Sequence, residues 1–324
     1  MSLSKNNAST KESNYHDSVL FNEVLKGLNI KSGGIYVDAT LGRCGHTQGI
    51  LNHLDSLGRV IGFDQDIDAI KYAEINFSDP RLELIHSNFS NLNDELNKIN
   101  LIGKVDGVLM DLGISSPQID NADRGFSFNK DGLLDMRMNQ SQKLTASEII
   151  NNFDYDELVK ILYDYGEEKF AKKIVREIVK YREEKGKISR TTELAGIVKK
   201  AIPKFDSKKN PATKTFQAIR IKVNEELLEI EQVLPAAFEA LEKNGRLAVI
   251  SFHSLEDRII KNFIKDKLNT DTVPKKIPIF QKQIKSTPIK VIQKLQTPSE
   301  GEVLKNKRSR SSKLRVIEKI SEEG

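Results

Sequence analysis

Short apolar runs alternate with amphipathic stretches along the first third of the chain, and a similar run returns near residue 250. The runs cover residues 35–37, 59–63, 82–85, 105–110 and 246–252. Most are opened by Gly, Pro or a charged residue, which is typical of strands covered on both faces. Their alternation with helical stretches predicts an α/β fold built on a parallel sheet.

A long helical segment interrupts this alternation. More than 120 residues without a clear strand separate the fourth run from the fifth, far beyond the usual length of a crossover. Capping-box patterns at 145–148 and 154–157 predict two helix starts. A stripe of apolar residues from Phe216 to Leu241 predicts one long helix that leads back into the sheet. The segment therefore reads as an inserted helical domain, whereas residues 273–298 are expected to be weakly structured.

Composition narrows the class of protein. The 324 residues are 38% hydrophobic and 30% charged, and no apolar run approaches the ~18 residues of a membrane span. The first residues are polar and lack the apolar region of a secretory signal, so they predict a flexible leader and a cytoplasmic protein. The single Cys44 excludes an intrachain disulfide, and the five histidines form no metal-binding pair. We expect no metal.

Positive charge is concentrated in the C-terminal tail. From Asp271 onward there are 13 Lys and Arg against 6 Asp and Glu, a net charge of +7 within a total of +5. Within this tail, residues 305–315 contain six cations and no acid. Such a cluster is typical of a segment that binds a polyphosphate backbone, although a solvated chain end explains it equally well. Its six cations are Lys305, Lys307, Arg308, Arg310, Lys313 and Arg315.

Polar side chains follow four of the predicted strands, at Asp38, Asp64, Asp111 and His253. Ligands of open α/β sheets bind beyond these carboxyl ends. The loop after the first strand is not GxGxxG, and Asp38 would repel a pyrophosphate, whereas Asp64 suits the two hydroxyls of a ribose. This favours S-adenosylmethionine over NAD, so an NAD-dependent dehydrogenase is the less favoured alternative.

Asp111 is followed by Ser115, Ser116, Pro117 and Gln118. An acid at a strand end, followed by Ser-Ser-Pro, can place hydrogen-bond acceptors beside an aromatic amine. Such acceptors polarise the N–H bonds and align the nitrogen, and so assist the attack of the amine on a sulfonium methyl group. Methylation at carbon 5 of a pyrimidine would instead need a thiolate, and Cys44 lies in the presumed cofactor loop. An ordinary turn is the competing interpretation of Ser115 to Pro117.

Eight motifs occur in the order of a known family. They span roughly His16 to Arg315, nearly the whole chain, and resemble the bacterial family that methylates N4 of a cytosine in the decoding region of 16S rRNA. The motifs are DATLGRCGHT, HSNFSN, DLGISSPQ, RGFSF, LDMRM, TFQAIRIKVN, SFHSLEDR and RSSKLR, which start at residues 38, 86, 111, 124, 134, 215, 251 and 310.

The resemblance implies a class I methyltransferase with a Rossmann-like parallel sheet, a C-terminal antiparallel edge strand and an inserted all-helical domain. It implies a leader at 1–14, a discontinuous S-adenosylmethionine domain at 15–133 and 216–324, and a substrate-recognition insert at 134–215. The implied catalytic residues are Asp111, Ser115, Ser116 and Pro117, and the implied cofactor contacts are Cys44, Gly45, His46, Asp64, Phe89, Asp111 and Gln118. The family usually has Gly where this chain has Cys44, and His before Pro-Ala where it has Asn210.

Each candidate residue also has a structural interpretation. Asp64 could cap a helix, Phe89 could be a core residue and His46 could form a hydrogen bond within its loop. For His253 and Asp257, the structural alternative is that one or both merely cap the following helix. Arg124, Arg137, Arg220 and the tail cations could contact RNA phosphate or pair with acids. The expected partner is 16S rRNA within the small ribosomal subunit. A homodimer and a non-catalytic, RNA-binding assembly factor are left open.

Overall fold

A seven-stranded sheet organises the chain in a computed structural model that describes residues 18–202, 210–268 and 287–320. The spatial order is β3-β2-β1-β4-β5-β7-β6, in which β1 to β5 are parallel, β7 is antiparallel to β5 and β6 is antiparallel to β7. This is the expected class I methyltransferase fold. The strands are β1 Ile35–Asp38, β2 Arg59–Asp64, β3 Leu82–His86, β4 Val105–Asp111, β5 Leu241–Ser251, β6 Ile289–Gln296 and β7 Lys313–Lys319.

The antiparallel edge consists of two strands rather than one. The C-terminal strand β7 pairs with β5 on one side and β6 on the other, so β6 forms the edge of the sheet. The expected weakly structured segment at 273–298 is therefore wrong for β6, while residues 273–286 lie outside the described ranges. The sequence pattern does not predict β6, because an edge strand carries many polar residues, here Lys290, Gln293 and Lys294.

Alternate residues of the central strands pack into two hydrophobic clusters on opposite faces of the sheet. In β4, Val108 and Met110 join one cluster, which also contains α4 and α11 residues. Leu109 between them joins the other cluster, with α1 and α2 residues. The sheet is thus buried on both faces, as its continuous apolar runs predict.

One helix precedes β1 and four follow the first four strands, while a second group forms the insertion. The first group comprises α1 Phe21–Leu28, α2 Gly45–Leu51, α3 Ile67–Asn76, α4 Leu92–Lys98 and α5 Ser116–Asp120. The insertion contains α6 Ala146–Asn152, α7 Tyr155–Asp164, α8 Ala171–Lys185, α9 Thr191–Ala201 and α10 Thr213–Asn224. The chain then forms α11 Glu226–Ala240, α12 Ser254–Leu268 and α13 Glu300–Lys305.

The insertion has a hydrophobic core of its own. Its buried residues run from Phe126 to Val223 and include side chains of α6 to α10. Thr145 and Asp154 cap α6 and α7 as their sequence patterns predict. The boundaries 134 and 215 for this domain stay a prediction, and the leader at 1–14 lies outside the described residues.

The predicted long helix from Phe216 to Leu241 is two helices. Glu225 adopts a left-handed conformation with φ 50° and separates α10 from α11. The break is stabilised by buried Asn224, whose Oδ1 accepts a hydrogen bond from Met138 N at 2.8 Å and whose Nδ2 donates to Met136 O at 2.8 Å. A continuous stripe of apolar residues does not reveal such a break, because the same spacing continues although α10 packs in the core of the insertion and α11 in the core beside the sheet.

Within the described ranges, no helix combines the length and the apolar character that crossing a bilayer requires.

Candidate functional site

A cavity opens at the carboxyl edge of the sheet, where β1, β2, β4 and β5 end. It brings together residues from the loops that follow these strands, from the insertion and from the C-terminal segment. It is lined by Ser18, Val19, Ala39, Thr40, Leu41, Gly42, Arg43, Gly45, His46, Asp64, Gln65, Phe89, Asp111, Leu112, Gly113, Ile114, Ser115, Ser116, Gln118, Met138, Phe252, Asn306 and Arg308. Eight of the predicted site residues are among them.

Asp64 fixes the loop that follows β1. Its Oδ2 accepts a hydrogen bond from Gly42 N at 2.9 Å, where Gly42 has a φ of 50°, and its Oδ1 accepts one from Asp66 N at 2.8 Å. Burial raises the pKa of Asp64 to about 6, against the effect of these two hydrogen bonds. Asp64 is not the N-cap of the following helix, because Asp66 caps α3.

Asp111 lies at the end of β4 and lines the cavity. Its backbone N–H donates to Thr40 Oγ1 at 2.7 Å, while its buried Oδ1 has no hydrogen-bond partner among the described residues. Burial raises the pKa of Asp111 well above its ordinary value, and the charges of Asp38 and Glu256 raise it further. An unpaired buried carboxyl oxygen is costly for folding, and such a cost is tolerated more often at functional sites than elsewhere.

His46 is the nearest titratable partner of Asp111. Its Nδ1 lies 3.8 Å from Asp111 Oδ2, and its Nε2 lies 3.0 Å from the carbonyl oxygen of Val19. Burial lowers the pKa of His46, which favours the neutral ring. With the Nε2 hydrogen donated to Val19, the Nδ1 lone pair faces Asp111.

Cys44 and Asp38 lie behind the loop and do not line the cavity. The Cys44 side chain is fully buried against Leu41, Ile70 and Ala73, and its N–H donates to Leu41 O at 2.8 Å. Asp38 is buried too and accepts a hydrogen bond from Thr47 Oγ1 at 2.6 Å. The structure therefore places the Cys44 side chain away from the cavity, and the cofactor contact that the resemblance implies stays a prediction.

The segment after β4 divides between two roles. Ser115 and Ser116 line the cavity, whereas Pro117 lines a neighbouring depression on the side of Arg124. Gln118 closes the start of α5, because its Oε1 accepts from Ser115 N at 2.9 Å and its Nε2 donates to Asp66 Oδ2 at 2.8 Å. The structure thus separates Pro117 from the other predicted catalytic residues.

Several cavity residues were not expected from the sequence. Thr40, Gln65 and Met138 line the cavity, and Gln65 Nε2 donates to Met138 Sδ at 3.3 Å. Met138 belongs to the motif at 134–138, so the insertion contributes directly to this site. Phe252, which follows β5, and Arg308 of the C-terminal segment line it as well.

His253 lies in a buried polar cluster beside the cavity rather than in it. Its Nε2 is 3.0 Å from Glu256 Oε1, and Arg220 forms two hydrogen bonds with Glu226, at 2.8 and 2.7 Å. Burial raises the pKa of Glu256, but hydrogen bonding to His253 and the nearby positive charge hold it below its ordinary value overall. The cluster joins α10 of the insertion to the end of β5.

Most of the candidate RNA-binding cations are paired with acids. Arg124 contacts Asp66 at 2.8 Å, and Arg137 contacts Asp135 at 2.6 Å. In the tail, Lys313 and Arg315 both pair with Asp257, at 3.2 and 2.8 Å. Four tail cations remain exposed, although Arg308 also contacts Asp120 at 3.0 Å. They are Lys305, Lys307, Arg308 and Arg310.

The chain matches proteins of known family along almost its full length. A sequence model described as the MraW methylase family matches residues 13–320. "Ribosomal RNA small subunit methyltransferase H" of Ruthia magnifica subsp. Calyptogena magnifica is 49% identical over 306 residues, which cover 94% of this chain and 99% of the relative. The protein of the same name from Coxiella burnetii is 50% identical over 307 residues, with coverages of 94% and 99%.

Similarity to solved structures is weaker. An rRNA methylase from Streptococcus thermophilus is 13% identical and superposes with a TM-score of 0.40, over 92% of this chain and 95% of the other. This similarity is too low to carry an argument, so the assignment rests on sequence. Because the family model covers nearly every residue, the chain belongs to the MraW methylase family.

Proposed function

We propose that this protein transfers a methyl group from S-adenosylmethionine to N4 of a cytosine in the decoding region of 16S rRNA. Membership of a methylase family and the names of its relatives support the reaction class and the small-subunit RNA. The observation that carries the proposal for this chain is Asp111, a carboxyl that lines the same cavity as Asp64 and whose buried Oδ1 has no hydrogen-bond partner among the described residues.

The cavity fits the methyl donor chemically. Asp64 is available to the ribose hydroxyls, Phe89 offers an apolar wall for the adenine, and the backbone of Gly45 permits close approach. The carboxyl groups of Asp64 and Asp111 give the cavity an acidic lining that suits a cation. S-adenosylmethionine supplies an electrophilic methyl group on a sulfonium centre when it is bound.

Asp111 is the residue that we assign to the acceptor amine. When N4 attacks the methyl carbon, the carbon–sulfur bond breaks and the nitrogen gains positive charge, so one of its protons becomes acidic. Asp111 accepts a hydrogen bond from this N–H, aligns the nitrogen and takes the proton. The pKa of Asp111 is raised in the empty protein. A cation bound in the cavity lowers this pKa and so favours the ionised carboxylate that accepts the proton.

Neighbouring groups complete this arrangement. Ser115 and Ser116 offer further hydrogen-bonding groups at the cavity wall, and His46 Nδ1 lies 3.8 Å from the second oxygen of Asp111. We assign Pro117 only to shaping the start of α5. Gln118 holds the loop through Ser115 and Asp66.

Methylation at an exocyclic nitrogen also agrees with the chemistry of the only thiol. Addition to carbon 6 of a pyrimidine would require an exposed thiolate. Cys44 is fully buried, and burial together with Asp38 and Asp64 raises its pKa to about 12. The chain therefore has no thiolate for the carbon-5 reaction.

The substrate is proposed to be RNA of the small subunit, acted on in the cytoplasm. The N4 amine lies on the pairing edge of cytosine, so the base must leave its stack to reach Asp111. The exposed cations at 305–310 lie in the segment whose Asn306 and Arg308 border the cavity. Their position suits phosphates that flank an extracted base.

Nucleoside analysis tests this proposal. Naked 16S rRNA and small subunits, each lacking the modification, are incubated with the protein and labelled donor, and the hydrolysed nucleosides are separated by mass spectrometry. We expect N4-methylcytidine. The appearance of 5-methylcytidine or N6-methyladenosine in its place would overturn the mechanism.

An Asp111→Ala variant separates catalysis from RNA binding. We expect it to abolish turnover with a much smaller effect on RNA affinity, whereas an assembly factor without catalysis would tolerate it. Asp123→Ala is the matched control, because Asp123 is an exposed acid that does not line the cavity.

A further inference from the structure

Phe252 is a half-buried aromatic residue at the cavity wall, in a motif to which no role has been assigned above. It follows the last residue of β5 and lines the cavity together with Asp111 and Gly113. In the β4–β5 register Asp111 pairs with Ile250, so Phe252 lies two residues beyond the partner of Asp111. It therefore lies beside the loop that carries the proposed acceptor site.

Phe252 and Phe89 lie at opposite ends of the cavity. Phe89 follows β3 and packs against the cluster on one face of the sheet, whereas Phe252 follows β5 and packs against the cluster on the other face. Four strand spacings separate β3 from β5 in the sheet order, or about 19 Å at about 4.8 Å each. A single ring stacked on one of them is therefore out of reach of the other.

The backbone of Phe252 is held in place by Glu256. The Oε2 atom of this buried carboxylate accepts hydrogen bonds from Phe252 N at 2.7 Å and His253 N at 3.1 Å. On the other side, Gly113 has a φ of 99°, and a Cβ added there would lie 3.5 Å from Phe252 Cδ2. Glu256 thus fixes the backbone of Phe252, while the ring lies beside Gly113, packs against the cluster that contains Leu109 and borders the cavity.

We propose that Phe252 is the surface on which the unpaired pyrimidine stacks while its amine faces Asp111. This inference rests on the proposed function and adds a substrate-positioning residue to it. Asp64 and Phe89 occupy the β2 and β3 side of the cavity, which leaves the β4 and β5 side, with Asp111 and Phe252, to the acceptor base. Stacking on an aromatic ring supplies much of the affinity of a protein for an unpaired base, regardless of the hydrogen bonds that the base forms.

Three substitutions of Phe252 test this role on undermethylated small subunits. Phe252→Leu keeps apolar volume but removes the aromatic face, Phe252→Ala removes both, and Phe252→Tyr keeps the ring. We expect Leu and Ala to lower kcat/KM for RNA by about 5- to 150-fold, the range for loss of one stacked base. Donor affinity should stay within about twofold, and Tyr should retain most of the activity.

The same variants separate the possible failures. Wild-type protein that yields no N4-methylcytidine overturns the proposed function itself. If the wild type yields this product and Phe252→Leu keeps full kcat/KM, the stacking role is overturned alone. A loss of donor affinity as large as the loss of kcat/KM also overturns it, because Phe252 would then serve the donor. Phe89→Leu is the matched comparison and should weaken the binding of the methyl donor.

A fluorescence experiment detects the contact directly. The chain contains no Trp, so Phe252→Trp introduces a unique fluorophore at the cavity wall. We expect cytidine added to the donor-bound protein to quench it, since a stacked base contacts the indole face. Tyr163→Trp, on an exposed position of α7 in the insertion, should not respond. Equal responses of the two variants, or none in Phe252→Trp, would contradict the proposal.

Discussion

Asp38, Asp64 and Asp111 end three adjacent strands, and burial raises the pKa of all three. Bringing carboxylates together in a partly dry site costs folding free energy, because each negative charge loses solvent and repels the others. A bound cation offsets this cost. The acidic cavity is thus destabilising in the empty protein and favourable to a cationic ligand.

Asp111→Asn should stabilise the protein while it abolishes turnover. A carboxyl whose pKa is raised by folding contributes stability below its unfolded pKa, and that contribution is lost as pH rises through its folded pKa. The wild type should therefore lose stability relative to the variant as pH rises above the ordinary pKa range of a carboxyl, because the pKa of Asp111 is raised in the folded protein. We expect the stability gain of the variant to grow as pH rises, measured by denaturant unfolding at a series of pH values. A gain that is independent of pH would contradict this.

Donor affinity should fall in acid as Asp64 takes up a proton. The pKa of Asp64 in the empty protein is raised to about 6, so the carboxylate that we assign to the ribose becomes neutral below this pH. Calorimetric titration with S-adenosylmethionine should show weakening as pH falls through about 6. Asp64→Asn should bind weakly without this dependence, and Asp123→Asn should behave as wild type. A wild-type affinity that is flat across this range would contradict the assignment.

Cys44 should be inert in the folded protein. Its thiol is buried, and its pKa is raised to about 12, so neither access nor ionisation favours reaction. A thiol reagent should therefore label nothing under native conditions and one equivalent per chain in denaturant, since the chain has one Cys. Rapid stoichiometric labelling of the folded protein would show that the loop opens.

At the scale of elements, regular patterns were predicted from the sequence and contacts between distant residues were not. The parallel strands and the caps at Thr145 and Asp154 follow from local periodicity and capping chemistry. The break at Glu225 depends on Asn224 reaching residues more than eighty positions earlier. No local pattern specifies such a contact, so one helix was predicted where two occur.

The same reason explains which site residues were predicted. Asp64 and Asp111 stand at strand ends, and the fold rule for α/β sheets places strand ends together. Phe252 and Arg308 reach the cavity only because β5 and the C-terminal segment pack beside β4. Conversely, Cys44 and Pro117 adjoin lining residues in sequence, but their side chains point away from the cavity.

Asn224→Ala should destabilise the junction between the insertion and α11. It removes the acceptor for Met138 N and the donor to Met136 O, and leaves both backbone groups buried without partners. Each lost partner costs roughly 1–3 kcal/mol, so we expect a total loss of about 2–6 kcal/mol by denaturant unfolding. Asn262→Ala, an exposed helical change, should cost far less. Equal losses in the two variants would contradict this role.

At the scale of the whole molecule, the basic tail divides into a structural half and an exposed half. Lys313 and Arg315 belong to β7, which lies between β5 and β6 and pairs its cations with Asp257. Truncation from Asn306 would remove this strand and disrupt the sheet. The RNA-binding role therefore has to be tested by substitution of the exposed cations at 305–310, which precede β7.

The double variant Lys307→Gln with Arg310→Gln should weaken RNA binding and flatten its salt dependence. Both cations are exposed, and neither has an ion pair among those found in the described ranges. Each phosphate contact contributes about 0.7 to 0.9 to the slope of log affinity against log salt, so losing two should reduce the slope by about 1.4 to 1.8. The control is Lys104→Gln with Lys243→Gln, two exposed cations where β4 and β5 begin, away from the cavity. If the two double variants lower the slope equally, net charge governs binding rather than this segment, and the cations beside the cavity have no special role.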